Sequence, residues 1–561
     1  MFGKLFLQLR KSPLARFLFI VAFFILLAAI SFLVSVLKEK KPVIYSVTPP
    51  VGNPGDTIMI TGENFGEKDL YSFVEIGNSR PIDTAYSSWT DNTILVRVPE
   101  FTGGGLVYVN KKNQKSNPLL FTKASTIPVI LKNTTDTIEP VINSISQKTA
   151  SVGTVITIKG KRFGANRGEG KVFFQWAGSR QAQNVPVSRD STQVPMIECS
   201  DRDFDYELWS DEEIRVKVPS GAVTGNIIVQ TDRGNSNGAY IEIQTPGERV
   251  YTGQHTYAVA YGVDITNVTG GRDNSLYLRV PKPMDCLTQY VINGGDYTVK
   301  PFIENFDNRF LHRLENITSG KNYTIRHSFI ITAFDVENKI NSRQIKNYTN
   351  KNSPFYLTYT REDPLHPVNN KTISEAAAGI VNQSWNPYTK AKAVFDFIVD
   401  EYKLREQNSK EPDLENVVKS KKGTPWEVSV LYATMLRSLG IPAVSCSGYF
   451  VEKDRKTTPH WWTEIYLEGY GWISADPAIV MGLDFQLFNT PENLKEFYFG
   501  NIDSQHILFS KGWTEQKEMS VNSSTVKRNQ AYDFQSIWEE STGNISKYSS
   551  FWTNLSITGI Y

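Results

Sequence analysis

Two residues in the C-terminal half of this 561-residue chain have side chains of the types that transfer a proton as a pair where a fold brings them together. His460 opens the run Pro459-His-Trp-Trp-Thr-Glu-Ile-Tyr466, and Asp476 closes Gly471-Trp-Ile-Ser-Ala-Asp-Pro477. A carboxylate that orients an imidazole makes a base able to take the proton of an attacking thiol or hydroxyl. A matching nucleophile is harder to find. Cys446 follows Val444 on the same face of a strand-like segment, which suits packing rather than chemistry. The Thr424 hydroxyl is needed as a helix cap, and Ser429 lies a turn inside that helix. Cys199, Cys286 and Cys446 are odd in number and far apart, so they form neither a disulfide framework nor a metal cluster. His255, His312, His327, His366 and His506 show no metal-ligand spacing, and no metal or other cofactor is expected. Trp462 and Trp472 suit a core or a groove wall, and Glu464 suits a structural role.

The elements that must position this pair are legible around it. Thr424 is a good N-cap, Pro425 falls at the first helical position and Glu427 at the third, which together make a capping box. Val428, Leu431, Met435 and Leu439 then recur at helical spacing, widened by Tyr432 and Leu436, until Gly440 and Pro442 stop the run. Further helices are expected at about 372–382 and 387–402, with strands carrying His460 and leading to Asp476.

Taken in order, Gly423-Thr-Pro425, His460 and Asp476-Pro resemble the core of the transglutaminase-like superfamily, which has the papain-like fold. In that family a Gly-x-Cys begins a helix, a His opens a strand and an Asp-Pro ends the next. The resemblance puts His460 and Asp476 at the catalytic histidine and aspartate, and Pro425 where the cysteine belongs. The strand-rich stretch from Gly247 and the phrase Phe497-Tyr-Phe-Gly-Asn-Ile-Asp-Ser-Gln-His506 extend the similarity over roughly residues 250–515. It implies a relict dyad without its nucleophile, in a groove walled by Trp426, Trp462 and Trp472 that binds an extended peptide or a protein. The competing implication is a peptidase, amidase or acyl-transfer enzyme with a displaced nucleophile, or one working through the His–Asp base. A third reading is purely architectural, with the domain as a docking module.

Upstream, Phe17 to Leu37 is almost wholly apolar, long enough to cross a bilayer as a helix. Lys4, Arg10, Lys11 and Arg16 precede it, so the expectation is an uncleaved single-pass anchor with residues 1–16 cytoplasmic and the bulk extracytoplasmic. With 60 basic against 58 acidic residues and no basic stripe, nucleic acid is excluded as a partner.

Gly55-Asp-Thr-Ile-Met-Ile-Thr-Gly-Glu-Asn-Phe-Gly66 repeats as Gly153-Thr-Val-Ile-Thr-Ile-Lys-Gly-Lys-Arg-Phe-Gly164, and Trp89 to Pro99 repeats as Trp209 to Pro219. The offset grows from 98 to 120, so the second copy carries about 22 extra residues, near 187–206. Alternating apolar residues and Gly-rich turns indicate antiparallel sandwiches, and both copies resemble IPT/TIG immunoglobulin-like domains. Such domains act as spacers or interaction surfaces. The expected organisation is therefore an anchor at 17–37, repeats at 42–123 and 138–245, and a β-sandwich at 246–350. An α+β transglutaminase-like domain at 356–515 follows, then an aromatic segment at 516–561 that packs back on a β-domain.

Overall fold

A computed structural model describes residues 40–561 apart from 70, 78, 100–101, 103, 113, 125–138, 179–183, 187–192, 307, 407–411, 515–517, 519–522, 529–533 and 535–536, with a few isolated positions before residue 40. The expected membrane segment lies outside the described residues except for Phe17, Val21 and Phe24, and the basic segment before it except for Pro13 and Leu14. Among the described residues no helix is long and apolar enough to cross a membrane. The chain forms two compact units, Met1–Lys123 and Ala124–Tyr561.

The first repeat is a two-sheet sandwich. One sheet orders Val43–Thr48, Thr57–Glu63, Thr93–Arg97 and Tyr86–Trp89; the other orders Val51–Gly52, Leu119–Lys123, Gly105–Lys111 and Ser72–Ile76. Alternate residues point inward, so that Ile58, Ile60, Ile94, Val96, Val107 and Val109 are sealed from solvent. The second repeat reproduces the same framework. The Asn117 side-chain amide accepts from the Ile44 backbone N–H and donates to its carbonyl, as that of Asn237 does with Ile142. The Tyr86 hydroxyl accepts from the Val74 amide, and that of Tyr206 from Val172. Gly62 and Gly160 are fixed by close approach: a Cβ there would lie 2.0 Å from the Val43 or Val141 carbonyl oxygen and against the Phe65 or Phe163 ring. The extra residues of the second copy include a strand, Gln193–Glu198, which pairs with Lys171–Trp176 and carries Asn184–Pro186 on its other edge.

The region expected as a third sandwich is one continuous seven-stranded antiparallel sheet. Its 35-residue strand Gly247–Pro281 pairs with Tyr323–Ile340 in its first half and Arg309–Glu315 in its second, so a single strand serves both halves. The aromatic C-terminal stretch joins this sheet: Ile537–Trp552 and Ser556–Ile560 both pair with the long strand.

Among the described residues, the core domain wraps seven helices around a five-stranded antiparallel sheet. The helices are α1 (Pro354–Thr360), α2 (Lys371–Ile380), α3 (Pro387–Glu401), α4 (Leu414–Ser420), α5 (Pro425–Ser438), α6 (Pro477–Val480) and α7 (Leu494–Phe497). The strands are β1 (Ala443–Val451), β2 (Thr457–Leu467), β3 (Gly471–Ala475), β4 (Phe499–Gly500) and β5 (His506–Lys511), ordered β4-β3-β2-β1-β5. Helix α5 is buried nearly all round, not along one stripe: Ser429, Val430, Ala433, Thr434 and Arg437 are enclosed with its apolar residues. That marks a central helix, packed between the sheet and α2–α4. Its N-terminus has the full capping box, with Pro425 at N1, and Gly440 beyond its end has φ +73°.

Candidate active site and its closed surroundings

Strand alternation sets which residues meet. Trp461 and Thr463 of β2 face α5: Trp461 stacks on Trp426 at 5.9 Å, and the Thr463 hydroxyl donates to the Ser429 carbonyl at 3.0 Å. His460, Trp462 and Glu464 lie on the other face of that strand, with Gly448, Cys446 and Val444 opposite them on β1. Asp476, at the end of β3, is the N-cap of α6 and accepts from the Ile479 amide at 3.2 Å.

His460 Nε2 is hydrogen-bonded to Asp476 Oδ2, so the structure brings together the two residues that the sequence sets 16 positions apart. A third member comes from β5. His506 Nε2 lies 3.1 Å from the same Asp476 oxygen, and its Nδ1 lies 2.8 Å from Asp503 Oδ1. The Tyr498 hydroxyl donates to Asp503 Oδ2 at 2.5 Å. The result is a chain of contacts, Tyr498–Asp503–His506–Asp476–His460, with every member buried or nearly so. The imidazoles hold the Asp476 carboxyl well below the usual carboxylate range against the opposing effect of burial. Asp503 pulls the His506 imidazole up to about 9, again against burial, with Asp476 adding to the effect. One ligand atom from each of His460, Asp476 and His506 lies within 4.8 Å of the others, and the three could together hold a metal ion. The sequence alone assigns His506 no role, although the Asp503-x-x-His506 spacing sets both side chains in one turn and is the available signal.

The site is closed. His460 has no exposed surface, and Phe450, Phe485 and Trp462 rings surround its imidazole at 5.3–6.1 Å. Trp462 belongs to a core shared with Trp176, Phe334 and Leu508. The open groove expected from Trp426, Trp462 and Trp472 is therefore corrected. Trp472 is buried elsewhere, edge-on to Tyr359 at 4.9 Å and near Phe355 and Tyr466. Trp426 is half-buried on the α5 side, and Pro425 is buried at the helix start. The cause is the sheet's second face: it is covered by the second repeat and the seven-stranded sheet, and it has no solvent side to line a groove.

Cys446 is fully buried in the same shared core, and burial pushes its thiol well above the ordinary value, which is the reverse of nucleophile activation. Thr424 caps α5 through the Glu427 amide. One constellation escaped the sequence reading. Ser445 Oγ lies 2.9 Å from His366 Nε2, and His366 Nδ1 lies 2.9 Å from Asp363 Oδ1. That is the hydrogen-bond order of a Ser-His-Asp triad. It too is enclosed: Ser445 and His366 have no exposed surface, burial lowers the imidazole to about 4, and Arg437 donates to Asp363 at 2.7 Å. Arg437 also donates to the Ala443 carbonyl at 2.8 Å, so the cluster ties α5 to β1 and to the loop before α2.

Sequence comparison identifies three of the domains. Residues 374–477 match the transglutaminase-like superfamily, and residues 42–123 and 140–245 match the IPT/TIG domain. The core is transglutaminase-like. No curated protein matches the chain. Among solved structures, a putative cysteine protease from Cytophaga hutchinsonii is similar at 13% identity, over 56% of this chain and 92% of that one, with a TM-score of 0.36. The periplasmic domain of TgpA from Pseudomonas aeruginosa is similar at 13% identity, over 40% and 87% of the two chains, with a TM-score of 0.23. The transglutaminase-like core thus carries its His460–Asp476 pair under a second TIG domain and a β-sheet domain.

Proposed function

We propose that this protein is a membrane-anchored extracytoplasmic scaffold in which the transglutaminase-like core acts as a docking module and not as a catalyst. The observation that carries the reading is the burial of the hydrogen-bonded His460–Asp476 pair beneath side chains of neighbouring domains. A base that no substrate can reach performs no acyl transfer. At the helix start where the superfamily places its cysteine, Thr424-Pro425-x-Glu427 supplies a complete cap, with a proline in the cysteine's place and the Thr424 hydroxyl engaged by the Glu427 amide. The anchor is supported by the apolar run Phe17 to Leu37 and the basic residues before it. The first TIG domain then spaces the rest of the protein from the membrane.

A second reading rests on Ser445–His366–Asp363, whose hydrogen bonds have the order of a serine hydrolase triad. It requires an opening to Ser445, which lies mid-strand beneath α5. One assay separates the readings. The purified protein is incubated with glutamine-containing peptides, an amine acceptor and a fluorophosphonate probe. The scaffold reading expects no ammonia release, no transamidation and no labelling. Turnover that His460→Ala abolishes would overturn it, as would probe labelling that Ser445→Ala removes.

A further inference from the structure

Charges of both signs face one cavity of the second unit without pairing. The cavity, of about 840 Å³, lies where the second TIG domain, the linker after it, the segment leading into α1 and the end of β2 come together. Small-molecule sites have volumes of roughly 300–1,000 Å³. Asp203, Asp205 and Glu468 line it, as do Lys217, Arg343 and Lys346. None of the six forms an ion pair among the described residues. Elsewhere in the same unit enclosed charges do pair: Arg437 with Asp363 at 2.7 Å, and Lys511 with Glu464 at 2.5 Å.

A polar group without a partner also points into this space. Tyr466 is only 8% exposed, and its hydroxyl has no hydrogen-bond partner among the described residues. The hydroxyl stands beside Gly153 on the cavity wall, where a Cβ would come within 2.6 Å of it. Gly55, the matching residue of the first repeat, has nothing within 4 Å of that position. Burial, together with the nearby Glu468, Asp205 and Asp203 carboxyls, pushes the Tyr466 phenol well above its ordinary value. It therefore keeps its hydrogen, and a donor enclosed without an acceptor is costly. Phe355 and Tyr356 of α1 supply apolar wall, with Lys217 Nζ 6.0 Å from the centre of the Phe355 ring.

We propose that this cavity binds a small zwitterion, a short peptide with both ends free. The carboxyls take its ammonium end, the cations take its carboxylate end, and the Tyr466 hydroxyl donates to one of its oxygens. A ligand of a single sign would satisfy one set of charges and be repelled by the other. Asp203 and Asp205 suit an ammonium group. Burial holds both carboxyls above their ordinary range, and for Asp205 the Asp203 carboxyl adds to the effect, which a cation brought beside them would relieve. The site shares no residue with the His460–Asp476 pair or with the Ser445 cluster. Turnover in the assay above would overturn the scaffold reading and leave this site standing.

Saturation-transfer NMR on the full-length protein tests the site with a Gly-X-Gly tripeptide set covering every amino acid, together with the N-acetylated forms and the C-terminal amides. At least one free tripeptide is expected to bind with a Kd below about 1 mM, and blocking either end should weaken it by about tenfold. Tyr466→Phe keeps the ring and removes only the unpartnered hydroxyl, so it should weaken binding about fivefold at unchanged Tm. Lys217→Gln should weaken the free peptide and leave its amide no weaker than before. Absence of binding by every tripeptide would overturn the proposal. So would binding that survives both blocked forms, or binding that neither substitution alters, because the ligand would then sit elsewhere. Loss on blocking one end alone would overturn the zwitterion in favour of a cation or an anion.

Discussion

The two TIG domains share a framework down to individual hydrogen bonds, yet their cores end in different places. In the first copy the buried cluster is drawn wholly from its own residues, from Ile44 to Phe121. In the second, the cluster that starts at Ile142 continues through Met284, Phe334 and Val336 of the β-sheet domain into Cys446, Trp462 and Leu508 of the transglutaminase-like core. Trp176 is a hinge of this continuity: its indole donates to the Tyr251 hydroxyl at 2.8 Å and sits edge-on to Tyr251 and Phe334. The inserted residues add to it, because the loop after Gln193–Glu198 reaches the core, where the Tyr359 hydroxyl donates to the Arg202 carbonyl. A sandwich's inward-facing residues specify the sandwich. In the second copy that core also takes in residues of the two domains that follow it.

The largest expected separation between these regions is in acid. All six histidines lie in Ala124–Tyr561, and none lies in the first TIG domain. Burial lowers His366 and His312 to about 4 and His327 to about 3, from 6.5. A histidine depressed in this way contributes stability above pH 6.5 that is lost as the pH falls toward its folded value. Each is worth about 2 kcal/mol by pH 5, with His312 and His327 coupled through their 2.9 Å contact. The raised Asp203 and Asp205 carboxyls act in the opposite direction, while His506 adds nothing further below 6.5. Calorimetry at pH 7 and pH 5 should show the second unit's transition moving down and the first TIG domain's staying in place. Transitions that move together would break the comparison.

Next in size is Trp462→Ala, which empties the point where three domains share one core. A fully buried tryptophan lost in this way costs about 3–5 kcal/mol. The matched change in the first TIG domain, Phe65→Ala, removes a ring from a core that serves only that domain. Trp462→Ala should lower unfolding of residues 124–561 as one cooperative event, and Phe65→Ala should leave that event unmoved. Two separate transitions within the second unit of the tryptophan variant would mean that the shared core does not couple its domains.

The same contrast explains what could be read from the sequence. The TIG repeats and the start of α5 were legible because their signals are local: a capping box spans four residues, and a sandwich strand declares itself by alternation. The His460–Asp476 contact was legible only through family resemblance, since the two side chains meet across strands. The closure of the site was not legible. It depends on which domain covers the second face of the sheet, and nothing local in β2 distinguishes a covered Trp462 from a groove wall. His506 and the Ser445–His366–Asp363 cluster escaped because one partner of each, Asp476 and Ser445, comes from a distant element, although Asp503 and Asp363 lie only three residues before their histidines.

Glu427 offers a smaller test, of the cap itself. Its carboxylate accepts from the Thr424 amide at 2.8 Å and receives Arg405 at 2.6 Å while almost wholly buried. Glu427→Ala leaves a buried amide unpaired and removes both ties, at a cost of about 1–3 kcal/mol. Urea unfolding should register this loss in the second unit. Glu427→Gln should recover part of it, because an amide oxygen can still accept from Thr424.

The smallest effect is expected at the tip of the inserted loop. Arg202 donates to the Lys511 carbonyl at 3.2 Å, but its side chain is exposed, and an exposed contact of this kind is worth roughly 0–1 kcal/mol. Arg202→Ala should therefore barely change the melting of the second unit. Asp203, one residue on, is half-buried, with Trp472 and Lys511 beside it favouring its charged form. Asp203→Ala should cost more, since it removes a half-buried carboxylate from beside Lys511. If the two variants instead cost the same, the loop touches the core without being built into it. The second TIG domain would then owe its fusion to the shared core around Trp176.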